Sequence, residues 1–273
     1  MIAAATGEKA YWRTSVSRIE ETEVSIRGYS LEDLIGQLPF SAAAYLLIRG
    51  ELPSPRSVRV LDAVLSAVLD YGLEKPGTVA ARYVMSANPN MAAGIAAAVL
   101  AVGKNTLAPE DTARFAIDSY QRYLDSGEPA DSVAEQIVAE ALAARRRIPG
   151  LGHPVFKDVD PRAAKLKAIA VEAGLWGERA QFYEAVHAAF RKASGKADIP
   201  INDVGVMALV LVELGFTPDE TTGLAIISTL PGVVAHLSEE QQSGRRIRVA
   251  PRSTVDYDVV GKEFEHDWKE AGW

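Results

Sequence analysis

The order of apolar and charged helical segments constrains the fold of this chain more than any other feature. Segments with apolar residues at helical spacing dominate its 273 residues. From Pro109 to about position 201 these segments are charged and amphipathic, whereas those before and after are apolar. The pattern predicts an all-α protein in which a smaller helical domain, 109–201, is inserted into a larger one formed by 1–108 and 202–273.

Caps and breakers set the predicted element boundaries. Pro76-Gly77 predicts a loop, and the residues from position 30 predict a capped helix start. The segment 91–102 is apolar all round, which is typical of a core helix or of a close subunit contact. A short strand or a hairpin is expected at 23–26, and short strands are expected at 246–249 and 255–257. The other predicted helices span 41–49, 55–71, 109–125, 129–146, 161–175, 177–195, 203–215, 218–229 and 231–243.

Composition argues against several classes of protein. The net charge of −7 disfavours a nucleic-acid partner, and the chain has no cysteine for a disulfide or thiolate site. The 4 histidines are scattered, so no zinc site is expected. The first residues, 1–9, lack an apolar secretory core, and the segment 91–102 is too short to span a bilayer. We therefore expect a cytoplasmic protein without a metal or a membrane partner.

The segment 145–157 gathers the residue types of a binding loop. Three arginines, 145–147, precede Gly150, Gly152, His153 and Lys157. Glycines let a backbone approach a ligand closely, the basic side chains suit phosphate or carboxylate, and a histidine exchanges protons near neutral pH. From residue types alone, a solvated basic helix end followed by a turn explains the segment equally well.

The order of the residues favours the binding loop. Pro-Gly-Leu-Gly-His-Pro-Val-Phe-Lys at 149–157, with Asp-Pro-Arg at 160–162, resembles the citrate synthase superfamily, and the short length resembles its citryl-CoA lyase branch. The resemblance implies a citrate synthase-like fold, a coenzyme A thioester as substrate, a small oxo- or hydroxy-acid as second partner, and a homodimer formed by the apolar helices. The residues that it assigns to coenzyme A are Arg147, Pro149, Gly150, Leu151, Gly152 and Lys157.

The resemblance also implies catalytic roles. His153 matches the histidine that serves the carbonyl of the second substrate. Thr106 stands where the family has an enol-stabilising histidine, in Thr-Leu-Ala-Pro instead of His-Gly-Gly-Ala. Asp203 lies one place before the family's catalytic aspartate, so it is either a base or only a helix N-cap.

The remaining predicted contacts are with the acid substrate. Arg162 matches an arginine that binds a carboxylate, although a first-turn helix arginine explains it too. Arg252 is the retained half of an Arg-Pro-Arg pattern, and Tyr71 stands where relatives often have a histidine. Asn202 is assigned to the same substrate.

These residues support two hypotheses of different kinds. The first is an enzyme that makes or cleaves a carbon–carbon bond next to a thioester, on a substrate other than citrate because the citrate side of the pattern is altered. The alternative is a catalytically retired homologue that binds acyl-CoA or a partner subunit and regulates it. A helical scaffold would leave the segment 149–153 unexplained.

Overall fold

A computed structural model describes residues 10–273 of the chain. The prediction for residues 1–9 lies outside this range. The described chain begins with a small antiparallel sheet of β1 (Ser17–Ile19), β2 (Val24–Ile26) and β3 (Tyr29–Ser30), in which Ile19 pairs with Val24 and Ser25 with Ser30. The strand predicted at 23–26 is confirmed.

Helices form the rest of the fold, so the all-α prediction is confirmed. Prolines begin five of them, and left-handed glycines follow the last residue of α2, α6 and α9, as the sequence signals require. The helices are α1 (Leu31–Leu34), α2 (Phe40–Arg49), α3 (Pro55–Ala67), α4 (Pro76–Ala87), α5 (Met91–Leu100), α6 (Pro109–Ser126), α7 (Ala130–Ala143), α8 (Pro161–Glu172), α9 (Glu178–Ser194), α10 (Asp203–Glu213), α11 (Pro218–Gln242) and α12 (Phe264–Glu270).

Three sequence-based expectations are wrong. The loop expected at 76–77 begins α4, because Pro76 takes the first helical position and Gly77 lets the helix approach the backbone of α5 at Ala98. The two helices expected on either side of Pro231 are one continuous helix, α11, which packs against five other helices. The strands expected at 246–249 and 255–257 are irregular and mostly exposed chain on either side of a short 3₁₀ turn, Arg252–Thr254.

The apolar helix α10 is the centre of the core. Its residues 205–212 are all buried, and it contacts α3, α6, α8, α9 and α11. One hydrophobic cluster extends from α3 through α10 to α7 and α9. This cluster crosses the predicted boundary at 109, and the division into two domains stays a prediction.

Helix α11 is long and apolar enough, by length and composition, to cross a membrane. One such helix is weak support for a membrane span, because core helices pass the same test. In the described chain α11 packs on α3, α4, α5, α6 and α10, and its last turn carries the buried carboxylate of Glu240.

Candidate active site

A cleft of about 280 Å³ lies where the end of α3, the first residues of α4, α8 and α10, and two loops meet. Five of the predicted catalytic and substrate-binding residues lie on its wall: Tyr71, Thr106, His153, Arg162 and Asp203. The other lining residues are Val68, Asp70, Glu74, Lys75, Pro76, Asn105, Leu107 and Val204.

Arg162 is the centre of an ion-pair cluster in this cleft. Its Nε and Nη2 donate to the two carboxylate oxygens of Asp160, at 3.3 and 3.0 Å, and its Nη1 lies 2.8 Å from Asp203 Oδ2. The buried Asp160 carboxylate caps α8 by accepting the backbone N–H of Arg162, and it also accepts that of Asp203. Asp160 therefore joins the first turns of α8 and α10 and orients Arg162.

Backbone donors hold the His153 ring on one side, and Arg162 faces it on the other. Nδ1 accepts the backbone N–H groups of Val155 and Phe156, both at 3.1 Å, and Nε2 lies 3.1 Å from Arg162 Nη2. A neutral imidazole has one accepting and one donating nitrogen. The two backbone donors assign the accepting role to Nδ1, so we infer from the hydrogen-bond network that Nε2 carries the proton. Nε2–H and Arg162 are then neighbouring donors on the cleft wall.

Asp203 is a buried acid of this cluster, and Asn202 is the residue that caps α10. Asn202 Oδ1 accepts the Gly205 N–H at 2.8 Å, so the N-cap alternative for Asp203 is wrong. Burial raises the pKa of the Asp203 carboxyl, the nearby Arg162 opposes this rise, and the charge of Asp160 adds to it. Asp203 is thus a carboxyl group whose charged form is only partly stabilised.

The glycine loop is fixed to the start of α10. Asn202 donates from its backbone N–H to Gly150 O at 2.9 Å and from Nδ2 to Gly152 O at 2.8 Å. Both glycines have left-handed backbone, φ +85° and +91°, which glycine adopts without strain. A Cβ on Gly205 would lie 2.7 Å from Gly150 O, so this close packing also requires glycine. Asn202 positions the loop and does not line the cleft.

Thr106 lines the cleft from a tight turn between α5 and α6. Thr106 and Gly103 exchange backbone hydrogen bonds at 2.9 and 3.0 Å. The next residue, Leu107, has φ +53°, although its side chain disfavours that region. The turn therefore keeps a conformation suited to glycine even though the glycine of the family pattern is absent.

Three charged residues of the cleft, Asp70, Glu74 and Lys75, were not singled out from the sequence. Asp70 accepts a hydrogen bond from His236 Nε2 at 3.0 Å, and Lys75 stands at the N-cap of α4. Asp160 belongs to the motif at 160–162, and an aspartate directly before a helix-starting proline is also an N-cap signal. No pattern in the sequence indicated that α3 and α4 bring Asp70 and Lys75 to the cleft.

Other predicted residues lie outside the cleft. Arg252 is exposed in the irregular chain after α11. The six residues assigned to coenzyme A lie on either side of His153 in the chain and do not line the cleft. Two of them, Arg147 and Lys157, are exposed.

The spacing of His153, Asp160 and Asp203, whose ligand atoms lie within 4.8 Å of one another, would also suit a metal ion. The Arg162 guanidinium contacts all three side chains and supplies the positive charge that a metal would bring. This donor set therefore gives no reason to assign a metal.

The chain matches known proteins over most of its described length. A family model described as the citrate synthase C-terminal domain matches residues 53–250. Citrate synthase 2 of Bacillus subtilis is 29% identical over 218 residues, covering 79% of this chain and 55% of that protein. The chain spans about half the length of the curated relatives it matches.

Solved structures show the same relationship. Citryl-CoA lyase from Hydrogenobacter thermophilus has a TM-score of 0.85 at 34% identity, covering 95% of this chain and 100% of that chain. ATP citrate lyase from Methanothrix soehngenii, solved with citrate and coenzyme A, has a TM-score of 0.80 at 19% identity, covering 93% of this chain and 43% of that chain. At that identity the second similarity shows the fold alone.

Proposed function

Because this chain belongs to the citrate synthase family and resembles its citryl-CoA lyase branch, we propose that it makes or cleaves a carbon–carbon bond next to a coenzyme A thioester. The observation that carries the proposal is the cluster of His153, Arg162 and Asp203 on one cleft. It combines a proton-exchanging ring, a cation and a buried acid, which are the groups this reaction needs. We further propose that the substrate is not citryl-CoA.

Each residue then has a definite role. In the direction of bond formation, the Asp203 carboxylate removes a proton from the carbon next to the thioester, and the enolate attacks the carbonyl carbon of the second substrate. The carbonyl oxygen becomes a hydroxyl by taking a proton through His153 Nε2, while the adjacent Arg162 stabilises the negative charge. Cleavage is the reverse. The raised pKa of Asp203 suits an acid or base that works closer to neutral pH.

Two further sites complete the proposal. Thr106, which lines the same cleft, is a hydroxyl donor for the enolate oxygen. The exposed basic side chains of the loop 145–157 are available to the phosphates of coenzyme A.

The proton transfer can be tested apart from bond cleavage. In D₂O the protein should exchange the methyl protons of acetyl-CoA, and with 3-hydroxyacyl-CoA esters it should release acetyl-CoA. His153→Ala should lower cleavage by about 10²–10⁴-fold and leave the exchange largely intact, because the ring serves the second substrate. His266→Ala, at an exposed position of α12, is the matched control. No calorimetric affinity for any coenzyme A thioester would contradict the proposal.

A second candidate is the retired homologue. It is favoured by Thr106 in place of the family's histidine and by the ion pair that Asp203 already makes with Arg162. A retired homologue would bind a coenzyme A thioester without exchanging its protons. It would also regulate an active partner subunit, and the wild type and His153→Ala would do so equally well.

We also propose that a second copy of the chain covers α5. Only Gly94 and Ala98 of this apolar helix are buried in the described chain, and Leu100 is 85% exposed. Of the two sequence-based alternatives for this segment, a core helix and a subunit contact, the second accounts for this exposure. The small residues of α5 would let two helices pack closely.

A further inference from the structure

The two cations of the cleft are not equally available to a substrate anion. The Arg162 guanidinium is committed to the ion-pair cluster: Nε and Nη2 face Asp160 and His153, and Nη1 faces Asp203. Two of its N–H groups donate to no acceptor: one on Nη1, and the one on Nη2 that faces the protonated His153 Nε2. The Tyr71 ring also lies over it, with 5.1 Å between the ring centroid and Arg162 Cζ. A substrate carboxylate therefore finds Arg162 neutralised and partly covered.

Lys75 differs from Arg162 in each of these respects. It is half-buried on the cleft wall, and its Nζ makes no hydrogen bond to any residue in the described part of the chain. Burial lowers the pKa of its ammonium group, and the charge of Asp70 acts in the opposite direction. Asp70, however, is already hydrogen-bonded to His236, and Glu74 is exposed at the rim.

The position of Lys75 at the N-cap of α4 gives a second reason to look for an anion. No side chain caps this helix, and a positive charge at a helix N-terminus is unfavourable because it opposes the helix dipole. A half-buried ammonium with no partner, at a place that disfavours it, would be stabilised by a bound carboxylate.

We propose that the Lys75 ammonium binds the carboxylate of the acid partner and makes the cleft selective for partners that carry a single carboxylate. This inference rests on the proposed function and names its substrate class: 3-hydroxyacyl-CoA esters whose cleavage releases a 2-oxo monocarboxylic acid. Lys75 is the only cation among the described lining residues that lacks a carboxylate partner. A second substrate carboxylate would instead meet the carboxylates of Asp70, Glu74 and Asp203.

Binding of the acid can be measured without turnover. Calorimetry with pyruvate, oxaloacetate and acetone, in the presence of coenzyme A, compares one carboxylate with two and with none. We expect the wild type to bind pyruvate best and Lys75→Met to weaken this affinity by about 10- to 100-fold. Lys75→Arg should keep most of the affinity. Lys165→Met, at an exposed lysine of α8, should keep all of it.

The same variants separate this inference from the proposed function. The wild type and Lys165→Met should exchange the methyl protons of acetyl-CoA at rates within about twofold of each other, because that step needs Asp203, Thr106 and the thioester but no acid partner. An unchanged affinity of Lys75→Met for pyruvate, or preferred binding of oxaloacetate or acetone by the wild type, would overturn the inference while exchange persists. Loss of exchange in the wild type itself would overturn the proposed function instead. Equal melting temperatures of the variants would show that folding is not the cause.

Discussion

Asp203 combines burial, which disfavours its charge, with an ion pair to Arg162, which favours it. Its raised pKa shows that burial dominates. The folded state therefore binds a proton at this carboxyl more tightly than the unfolded state does. Stability is lost as the pH rises from about 4 through the folded pKa, and the cost remains above it. A carboxyl group that lowers stability when it is charged is expected at a site where a reaction needs it.

Asp203→Asn should therefore separate activity from stability. We expect the exchange of acetyl-CoA methyl protons to fall by about 10²–10⁴-fold, because the amide cannot take a proton. The melting temperature at pH 7 should not fall, since the variant removes a desolvated charge and Arg162 keeps Asp160. Any stability gain over wild type should shrink toward about pH 4. Asp198→Asn, at an exposed aspartate, should change neither quantity.

At the scale of single residues, the sequence predicted the site residues that belong to a motif. It did not predict the residue roles that depend on tertiary contacts. His153 and Arg162 were predicted because they stand in a recognisable order with glycine and proline. Asn202 was assigned to substrate, yet its side chain is used by the helix cap and the glycine loop. Lys75 was missed because its meaning depends on burial and on the lack of a partner, neither of which has a local sequence signal.

At the scale of elements, α11 continues through Pro231 because tertiary packing outweighs the tendency of proline to break a helix. A proline in a helix interior costs about 3 kcal/mol, which is why the sequence predicted a break at Pro231. The glycine that follows explains part of why the helix continues there. A Cβ on Gly232 would lie 2.4 Å from Leu69 O and 2.9 Å from Asp70 Cβ, so glycine lets α11 pack directly on the end of α3. This contact also lies beside the Asp70 carboxylate of the cleft.

Two glycines of the same helix should therefore respond oppositely to alanine. Gly232→Ala should lower the free energy of unfolding by about 1–3 kcal/mol, because the new methyl group would overlap backbone that cannot move aside cheaply. Gly223→Ala has open space around the added Cβ and should raise it by up to about 1 kcal/mol through helix propensity. Urea unfolding of both variants measures the difference. Equal effects would show that α11 does not approach α3 as described.

At the scale of the whole molecule, Glu240 of α11 binds both α4 and the chain that follows α11. Its carboxylate, 1% exposed, accepts from Arg82 Nε on α4 at 2.6 Å and from Arg248 Nε and Nη2 at 2.6 and 2.7 Å. These hydrogen bonds lower the pKa of Glu240. The stability it contributes is present above the ordinary glutamate pKa, about 4.3, and is lost as the pH falls through the lower folded value.

Glu240→Gln should lower the free energy of unfolding at pH 7 by about 2–3 kcal/mol, because two arginines lose a buried partner. The difference from wild type should diminish in acid. Glu239→Gln is the matched control: the neighbouring Glu239 binds Arg82 Nη1 at 2.8 Å but is exposed, so its loss should cost less than about 1 kcal/mol. Urea unfolding at several pH values compares them, and equal costs would argue against a buried anchor.

The exposed face of α5 makes a prediction about the assembled protein. If a second copy covers this helix, Leu100→Glu places a charge in an apolar contact, and the variant should elute as a monomer while the wild type elutes as a dimer. Leu124→Glu changes an exposed leucine of α6, far along the chain from α5, and should leave the dimer intact. Light scattering after size exclusion gives the mass of each species. A monomeric wild type, or a dimer unaffected by Leu100→Glu, would show that a second copy of the chain does not cover the apolar face of α5.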